Sequence, residues 1–361
     1  MIKILVCPDS FKGTLNAKEV VGIIASVFQG QKRVECRTMP LADGGEGSIE
    51  LINAHLACDI EKFSALNPLG EPVDGYYLRT NDVAYIEVAN VSGLHLLQKE
   101  NRNPRLTNSY GTGQLIAHAL DKLCGHIVLL LGGSATVDGG TGIMQAICGH
   151  PFVFQNPLFT SKEFRIPELK QAIENIKFTL VTDVCNTLTG KNGASYVFGP
   201  QKGADVNDVV TIETLMCQWL NQLQPYTSLD LSRVEGLGAA GGIGLPLVAL
   251  NKETKIINGF DFFNDLLNYE QAIKWADVII TGEGCIDEQT EMGKGPGRLA
   301  QWGAMMGKRV IGIGGMVKIH PTNFNAVFAT CNSSCTEVQL QRHAKSNLLA
   351  ASHKVRAYLL D

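Results

Sequence analysis

Ile2-Lys3-Ile4-Leu5-Val6-Cys7-Pro8-Asp9-Ser10-Phe11-Lys12-Gly13 opens with an apolar run of strand length and stops at a proline and a polar, glycine-ended loop. Asn16 and Glu19 then stand at capping-box spacing before an apolar pattern of helical period from Lys18 to Phe28. This is a strand, a loop and a helix, the repeating unit of a parallel sheet. A second strand near Val34 to Met39 leads into Ala42-Asp43-Gly44-Gly45-Glu46-Gly47, and Ile49, Ile52 and Leu56 mark the next helix. Three later apolar runs, Val278-Ile279-Ile280, Val310-Ile311-Gly312-Ile313 and Ala326-Val327-Phe328, are of the same kind and are separated by helical segments.

Between these two ends the period changes. From about Leu66 to Val91 short alternating runs such as Ala84-Tyr85-Ile86-Glu87-Val88 are punctuated by Asn-Pro-Leu-Gly-Glu-Pro, which predicts antiparallel strands. A helix from Thr112 to Leu123, a buried strand from His126 to Leu131 and a strand from Phe178 to Thr182 return the chain to α/β style. With 361 residues and 45% hydrophobic content the chain exceeds one ordinary core. The expected fold class is α/β with two domains: a discontinuous doubly wound parallel-sheet domain from 1–64 and 275–361, and an inserted mixed α/β domain over 65–274.

A net charge of −4 without blocks of like charge gives no footprint for nucleic acid or an acidic membrane surface, and suits a small diffusing ligand. The longest apolar stretch, Ile127 to Leu131, is far below the roughly 20 residues of a membrane helix. The opening run is too short for the core of a signal peptide, so a cytoplasmic protein is expected. Ten scattered cysteines without a Cys-x-x-Cys read as reduced, mostly buried thiols. A zinc site from Cys331, Cys335 and His343 is the lesser reading, because zinc sites normally bring two tight ligand pairs.

Ligands of open parallel sheets bind beyond the carboxyl ends of the strands. Several loops there are polar and rich in glycine. Gly132-Gly133-Ser134-Ala135-Thr136-Val137-Asp138-Gly139-Gly140 could converge backbone N–H groups on an anion at a helix N-terminus. Phosphoryl transfer needs cations around the migrating phosphate, carboxylates for magnesium and an aligned acceptor. Lys12, Lys202 and Lys294 lie in glycine-flanked loops, and Asp43, Glu46, Asp183, Glu283 and Asp287 offer hard oxygen ligands. No Gly-x-x-x-x-Gly-Lys-Ser/Thr motif is present, so a nucleotide site here is not a P-loop. Gly236-Leu237-Gly238-Ala239-Ala240-Gly241 formally matches the dinucleotide fingerprint, which leaves an NAD(P)-dependent oxidoreductase of a small hydroxy acid as an alternative. The polar segment before it is a poor strand. A non-catalytic small-acid-binding regulator is the third reading.

Read in order, Pro8-Asp9-Ser10-Phe11-Lys12, Ala42 to Gly47, Gly132 to Thr136, Phe198-Gly199-Pro200-Gln201-Lys202-Gly203, Gly238 to Gly242 and Gly282-Glu283-Gly284-Cys285-Ile286-Asp287 resemble the bacterial type I glycerate kinases over nearly the whole chain. The resemblance implies an ATP- and Mg²⁺-dependent kinase acting on D-glycerate, usually forming the 2-phosphate, in glyoxylate and sugar-acid catabolism. It also implies two α/β domains, one of them flavodoxin-like, facing a cleft. Site residues expected on this basis are Asp183, Lys12 and Lys294 in catalysis, with Asp183 as general base. Gly132, Gly133, Ser134, Thr136, Lys202 and Asn186 would bind cofactor or an anionic group of the substrate, and Asp43, Glu283 and Asp287 the metal. Neither nucleic acid nor membrane is an expected partner, and an oligomer is compatible with the sequence. Val137, Cys185, Thr187 and Cys285 depart from the family pattern.

Overall fold

The computed structural model describes residues 1–11, 13–160, 166–291, 295–331 and 337–360. Lys12 and Lys294, both expected in catalysis, and Cys335 lie outside the described residues. Among the described residues eleven strands form: β1 (Ile2–Val6), β2 (Val34–Thr38), β3 (Asp59–Leu66), β4 (Pro72–Thr80), β5 (Val83–Glu87), β6 (His126–Leu130), β7 (Lys177–Thr182), β8 (Lys255–Asn258), β9 (Val278–Ile286), β10 (Arg309–Val317) and β11 (Ala326–Ala329).

The chain forms two compact units, Met1–Asp43 with Gly259–Asp361, and Gly44–Asn258. The first holds a five-stranded sheet in the order β11-β10-β9-β1-β2, parallel throughout. Counted within the unit this is the flavodoxin-like order 2-1-3-4-5. Alternation along the strands supplies two apolar faces. Ile4, Val6, Val278, Ile280, Ile311 and Ile313 share a core with Val20 and Ile24 of helix Ala17–Ser26 and with Leu348, Ala351 and Val355 of helix Glu337–Leu360. Ile279 and Val310, one residue out of phase, receive Gly303 of helix Gly295–Met305, where an added Cβ would stand 2.7 and 2.9 Å from their side chains. Helices therefore cover both faces. The capping box read at Asn16 and Glu19 is present, with Asn16 Oδ1 accepting the Glu19 N–H at 2.9 Å and Glu19 accepting the Asn16 N–H.

The second unit holds a six-stranded mixed sheet in the order β3-β4-β5-β6-β7-β8. β3, β4 and β5 are antiparallel, as the alternating runs predict, and β5 through β8 are parallel. Register decides what this sheet can present. Glu87 pairs with Leu130, Leu130 with Val181, and Thr182 with Asn258, so the parallel strands end level and their following loops emerge along one edge.

The units divide at 43/44 and 258/259, earlier than the changes of period near 65 and 275. Helix Ser48–His55 reads from its apolar spacing as another parallel-sheet helix, yet its first-turn N–H groups are held by Glu87 of β5 in the mixed unit. Periodicity marks a helix's buried face but does not identify the sheet beneath it. At the other end, Phe260 stacks on Tyr269 and meets Trp302 edge-on, tying residues from 259 onward to the first unit.

Candidate active site

In the mixed unit, Leu131 after β6 donates its N–H to the Val181 carbonyl of β7 at 3.0 Å, and Gly132 donates to Gly44 O at 2.9 Å. Glycine is required at this crossing: a Cβ on Gly132 would lie 2.3 Å from Gly45 Cα, and one on Gly44 would lie 2.9 Å from both Val181 O and Val181 Cγ1. Gly44 and Gly45 thus lie across the ends of β6 and β7. Asp183 directly follows β7, so the Gly132 loop and Asp183 leave neighbouring strands at the same edge.

The Gly132 to Gly140 loop is held from inside the protein. Ala135 N–H goes to Ser92 O, Gly139 N–H to Gly241 O, and Ser134 forms an isolated antiparallel bridge with Gly93. Asp138, fully buried, accepts from Ser109 N–H at 2.8 Å, Ser109 Oγ at 2.7 Å, Gly140 N–H at 3.1 Å and Gly142 N–H at 3.2 Å. The anion expected at the start of helix Thr141–Ile147 is therefore supplied by the chain's own Asp138. That corrects the expectation that N–H groups at this helix end converge on a ligand, and narrows any ligand contact to the Gly132 to Thr136 part. Burial pushes the Asp138 carboxyl up from its ordinary range, and its hydrogen bonds from Ser109, Gly140 and Gly142 oppose this.

Lys202 is 3% exposed and donates from Nζ to Ser134 Oγ and to Thr136 O, each at 2.8 Å. Burial pushes its ammonium down to about 7, with Asp138 opposing. Lys202 thus grips the loop at both Ser134 and Thr136. Thr136 Oγ1 is buried with no hydrogen-bond partner among the described residues, a polar atom of the kind a bound group would satisfy. Asn186 donates Nδ2 to Asn192 O at 2.7 Å, closing its own loop.

The Gly238 to Gly242 segment braces these loops. Gly238 donates to Asn186 O, and a Cβ on Gly241 would stand 2.0 Å from Thr136 O. Before it lies a 3₁₀ turn, Leu231–Arg233, where a dinucleotide fingerprint needs a strand. The glycines from 236 to 241 serve close backbone approach, which removes the basis of the oxidoreductase reading.

In the parallel unit, carboxylates gather at strand ends. Asp9, Asp43 and Glu283 are 8%, 9% and 8% exposed. Asp9 N–H bonds Gly282 O at 2.9 Å, and Leu41 N–H bonds Pro8 O at 2.9 Å, which brings the segments bearing all three toward the ends of β1 and β9. Asp9, though part of the quoted motif at 8–12, is absent from the expected site residues. Its burial is the signal that sequence lacks. Glu283 Oε1 accepts from Thr290 Oγ1 at 2.7 Å. Gly282 to Ile286 does not form a separate loop but continues β9, paired with β10. Asp287, the third expected metal ligand, caps the turn Glu288–Glu291 through Gln289 N–H and pairs with Lys318 at 3.6 Å. Among the described residues no group of three or more His, Cys, Asp or Glu side chains is placed to hold a metal. Mg²⁺ in phosphoryl transfer commonly takes one or two carboxylates and completes its shell with water and phosphate oxygens, so two hard carboxylates such as Asp43 and Glu283 fit that need.

Among the described residues eight cysteines are free, as the sequence suggests. Cys331 is disulfide-bonded, against the expectation of reduced thiols throughout and against a zinc role for it. No helix among the described residues is long and apolar enough to cross a membrane.

Comparison with known proteins agrees with these loops. The model of the glycerate kinase family matches residues 4–360. A glycerate kinase of Bacillus cereus is 35% identical over 99% of this chain and 97% of its own, and a glycerate 2-kinase of Escherichia coli K12 is 36% identical over 99% and 98%. The crystal structure of a Salmonella typhimurium LT2 protein assigned as glycerate kinase 2 aligns with a TM-score of 0.77 at 36% identity, covering 99% of this chain and 98% of that one. A family match over residues 4–360, with relatives about one-third identical over 99% of the chain, means that this chain belongs to the glycerate kinase family and is a small-molecule kinase.

Proposed function

We propose that this kinase transfers the γ-phosphate of ATP, with Mg²⁺, to D-glycerate and forms 2-phosphoglycerate. The observation that carries the reading is the level ending of β6 and β7, from which the Gly132 to Thr136 loop and Asp183 emerge side by side. One can receive an anionic group while the other faces a hydroxyl. The names of the Bacillus cereus and Escherichia coli relatives support glycerate as the acceptor, and the latter's supports the 2-hydroxyl.

In this reading the Gly132 to Thr136 loop, with Ser134 Oγ, receives the carboxylate of the acid, and Lys202 fixes that loop through Ser134 Oγ and Thr136 O. Asp183 takes the hydroxyl proton or orients that hydroxyl, a task for which a carboxylate at a strand end is suited. Lys12 and Lys294 neutralise phosphate charge. Asp43 and Glu283 hold Mg²⁺, which when bound offsets charge on the nucleotide phosphates.

Incubation with ATP, Mg²⁺ and D-glycerate, followed by ³¹P and ¹H NMR of the product, tests the reading. The expected product is 2-phosphoglycerate. Accumulation of the 3-phosphate overturns the regiochemistry, and absence of either product overturns the acceptor.

A further inference from the structure

Glu87, at the end of β5, is 5% exposed and has a single visible task. Its Oε1 accepts the Gly47 N–H at 3.3 Å and its Oε2 the Ile49 N–H at 3.1 Å. These are the N-cap and second residues of helix Ser48–His55, and because the N-cap is glycine the helix has no acceptor of its own there. No Lys, Arg or His pairs with Glu87 among the described residues. The acids Glu46 and Glu50 and the phenol of Tyr76 face it, and His95 stands 3.8 Å from Glu46. A buried carboxylate without a counter-charge is a costly cap, but its two oxygens accept two N–H groups at once, where an amide offers one acceptor oxygen.

What distinguishes this helix start is the segment leading into it. Gly44 and Gly45, just before Glu46 and Gly47, are the residues laid across the ends of β6 and β7, where Gly44 O receives the Gly132 N–H. Holding Gly47 and Ile49 therefore fixes the crossing on which the Gly132 to Thr136 loop rests.

We propose that Glu87 is a positioning residue of the kinase, clamping the 44–49 segment and through it the loop that receives the substrate's carboxylate. This rests on the assignment of that loop to the acid. The ionised carboxylate accepts both N–H groups with full strength, whereas the protonated form keeps one good acceptor, so the clamp tightens as Glu87 loses its proton. Burial first, then Glu50 and Glu46, push that carboxyl up to about 8, with the two N–H bonds opposing.

Glu87→Gln keeps shape and one acceptor and is the decisive variant, with Glu87→Ala beside it and Glu50→Gln as control. In the absence of substrate, at about pH 9.5 where Glu87 is ionised, amide exchange over residues 44–49 should accelerate about tenfold or more in Glu87→Gln. At the same pH KM for D-glycerate should rise about tenfold while KM for ATP stays within about twofold. Wild-type kcat/KM for D-glycerate, followed from about pH 6 to about pH 9.5, should rise through a limb near 8 that Glu87→Gln lacks. Unchanged exchange in the segment, or a parallel loss of both KM values and thermal stability, overturns the proposal. Faster exchange in a protein whose wild type does not phosphorylate glycerate upholds the clamp and overturns the assignment of the loop to the acid.

Discussion

Gly132 to Gly140 and Gly282 to Asp287 look alike in sequence, both glycine-laced, both after an apolar run and both with acids, yet they take opposite courses. The first leaves its sheet and turns, with Gly133, Gly139 and Gly140 at φ of 75°, 60° and 73°. The second stays in β9, and neither Gly282 nor Gly284 has positive φ. Glycine there serves space: a Cβ on Gly282 would stand 1.9 Å from Ile313 O, and one on Gly315 of β10 would stand 2.4 Å from Gly284 O. One run of glycines supplies conformations closed to L side chains, the other lets two backbones approach. The acids differ in the same sense. Asp138 is spent on its own loop, whereas Glu283 is carried at the sheet's end with its segment fixed by strand pairing.

Substitutions can separate the two uses. Gly282→Ala should cost about 3 kcal/mol or more, because backbone rather than a movable side chain occupies the space. Gly133→Ala, whose Cβ would meet only Ala89 Cβ at 3.2 Å, should cost about 1–2 kcal/mol through its positive φ. Asparagine, which tolerates the left-handed region, should recover part of the loss at 133 and worsen it at 282, as read by denaturant unfolding. Equal responses at the two positions would erase the distinction.

A smaller effect is expected from Lys202. Its folded pKa of about 7 lies below the 10.5 of an unburied lysine, so between these values the unfolded chain binds more protons and stability rises with pH. Below about 7 the cost of burying the ammonium is fully present. Lys202→Met should remove the rise over that window in an unfolding series, while still loosening Ser134. A stability profile of unchanged slope would show that Lys202 is not desolvated.

The strands were legible because fully buried parallel strands are continuous apolar runs, as from Ile127 to Leu131 and from Val278 to Ile280. The polar loops were legible because glycine and carboxylates stand out beside such runs. Burial and direction were not. Nothing in Phe198-Gly199-Pro200-Gln201-Lys202-Gly203 tells that the lysine points inward to Ser134, since that contact joins residues 68 apart. Asp138 and Glu87 look like loop and strand acids until the N–H groups they serve, from Ser109 and from Gly47, come from elsewhere in the chain. Long-range pairing likewise decides that Gly282 to Ile286 extends a strand, because β10 supplies its own glycines opposite. Composition names the chemistry available, and tertiary contacts choose which groups are presented and which are consumed as structure.

Asp183, beside the Gly132 loop, is the residue proposed to handle the acceptor hydroxyl. Steady-state kinetics of Asp183→Asn with D-glycerate tests this directly: kcat should fall about a hundredfold or more while KM for D-glycerate changes by less than about threefold. A variant with near-normal kcat would contradict it.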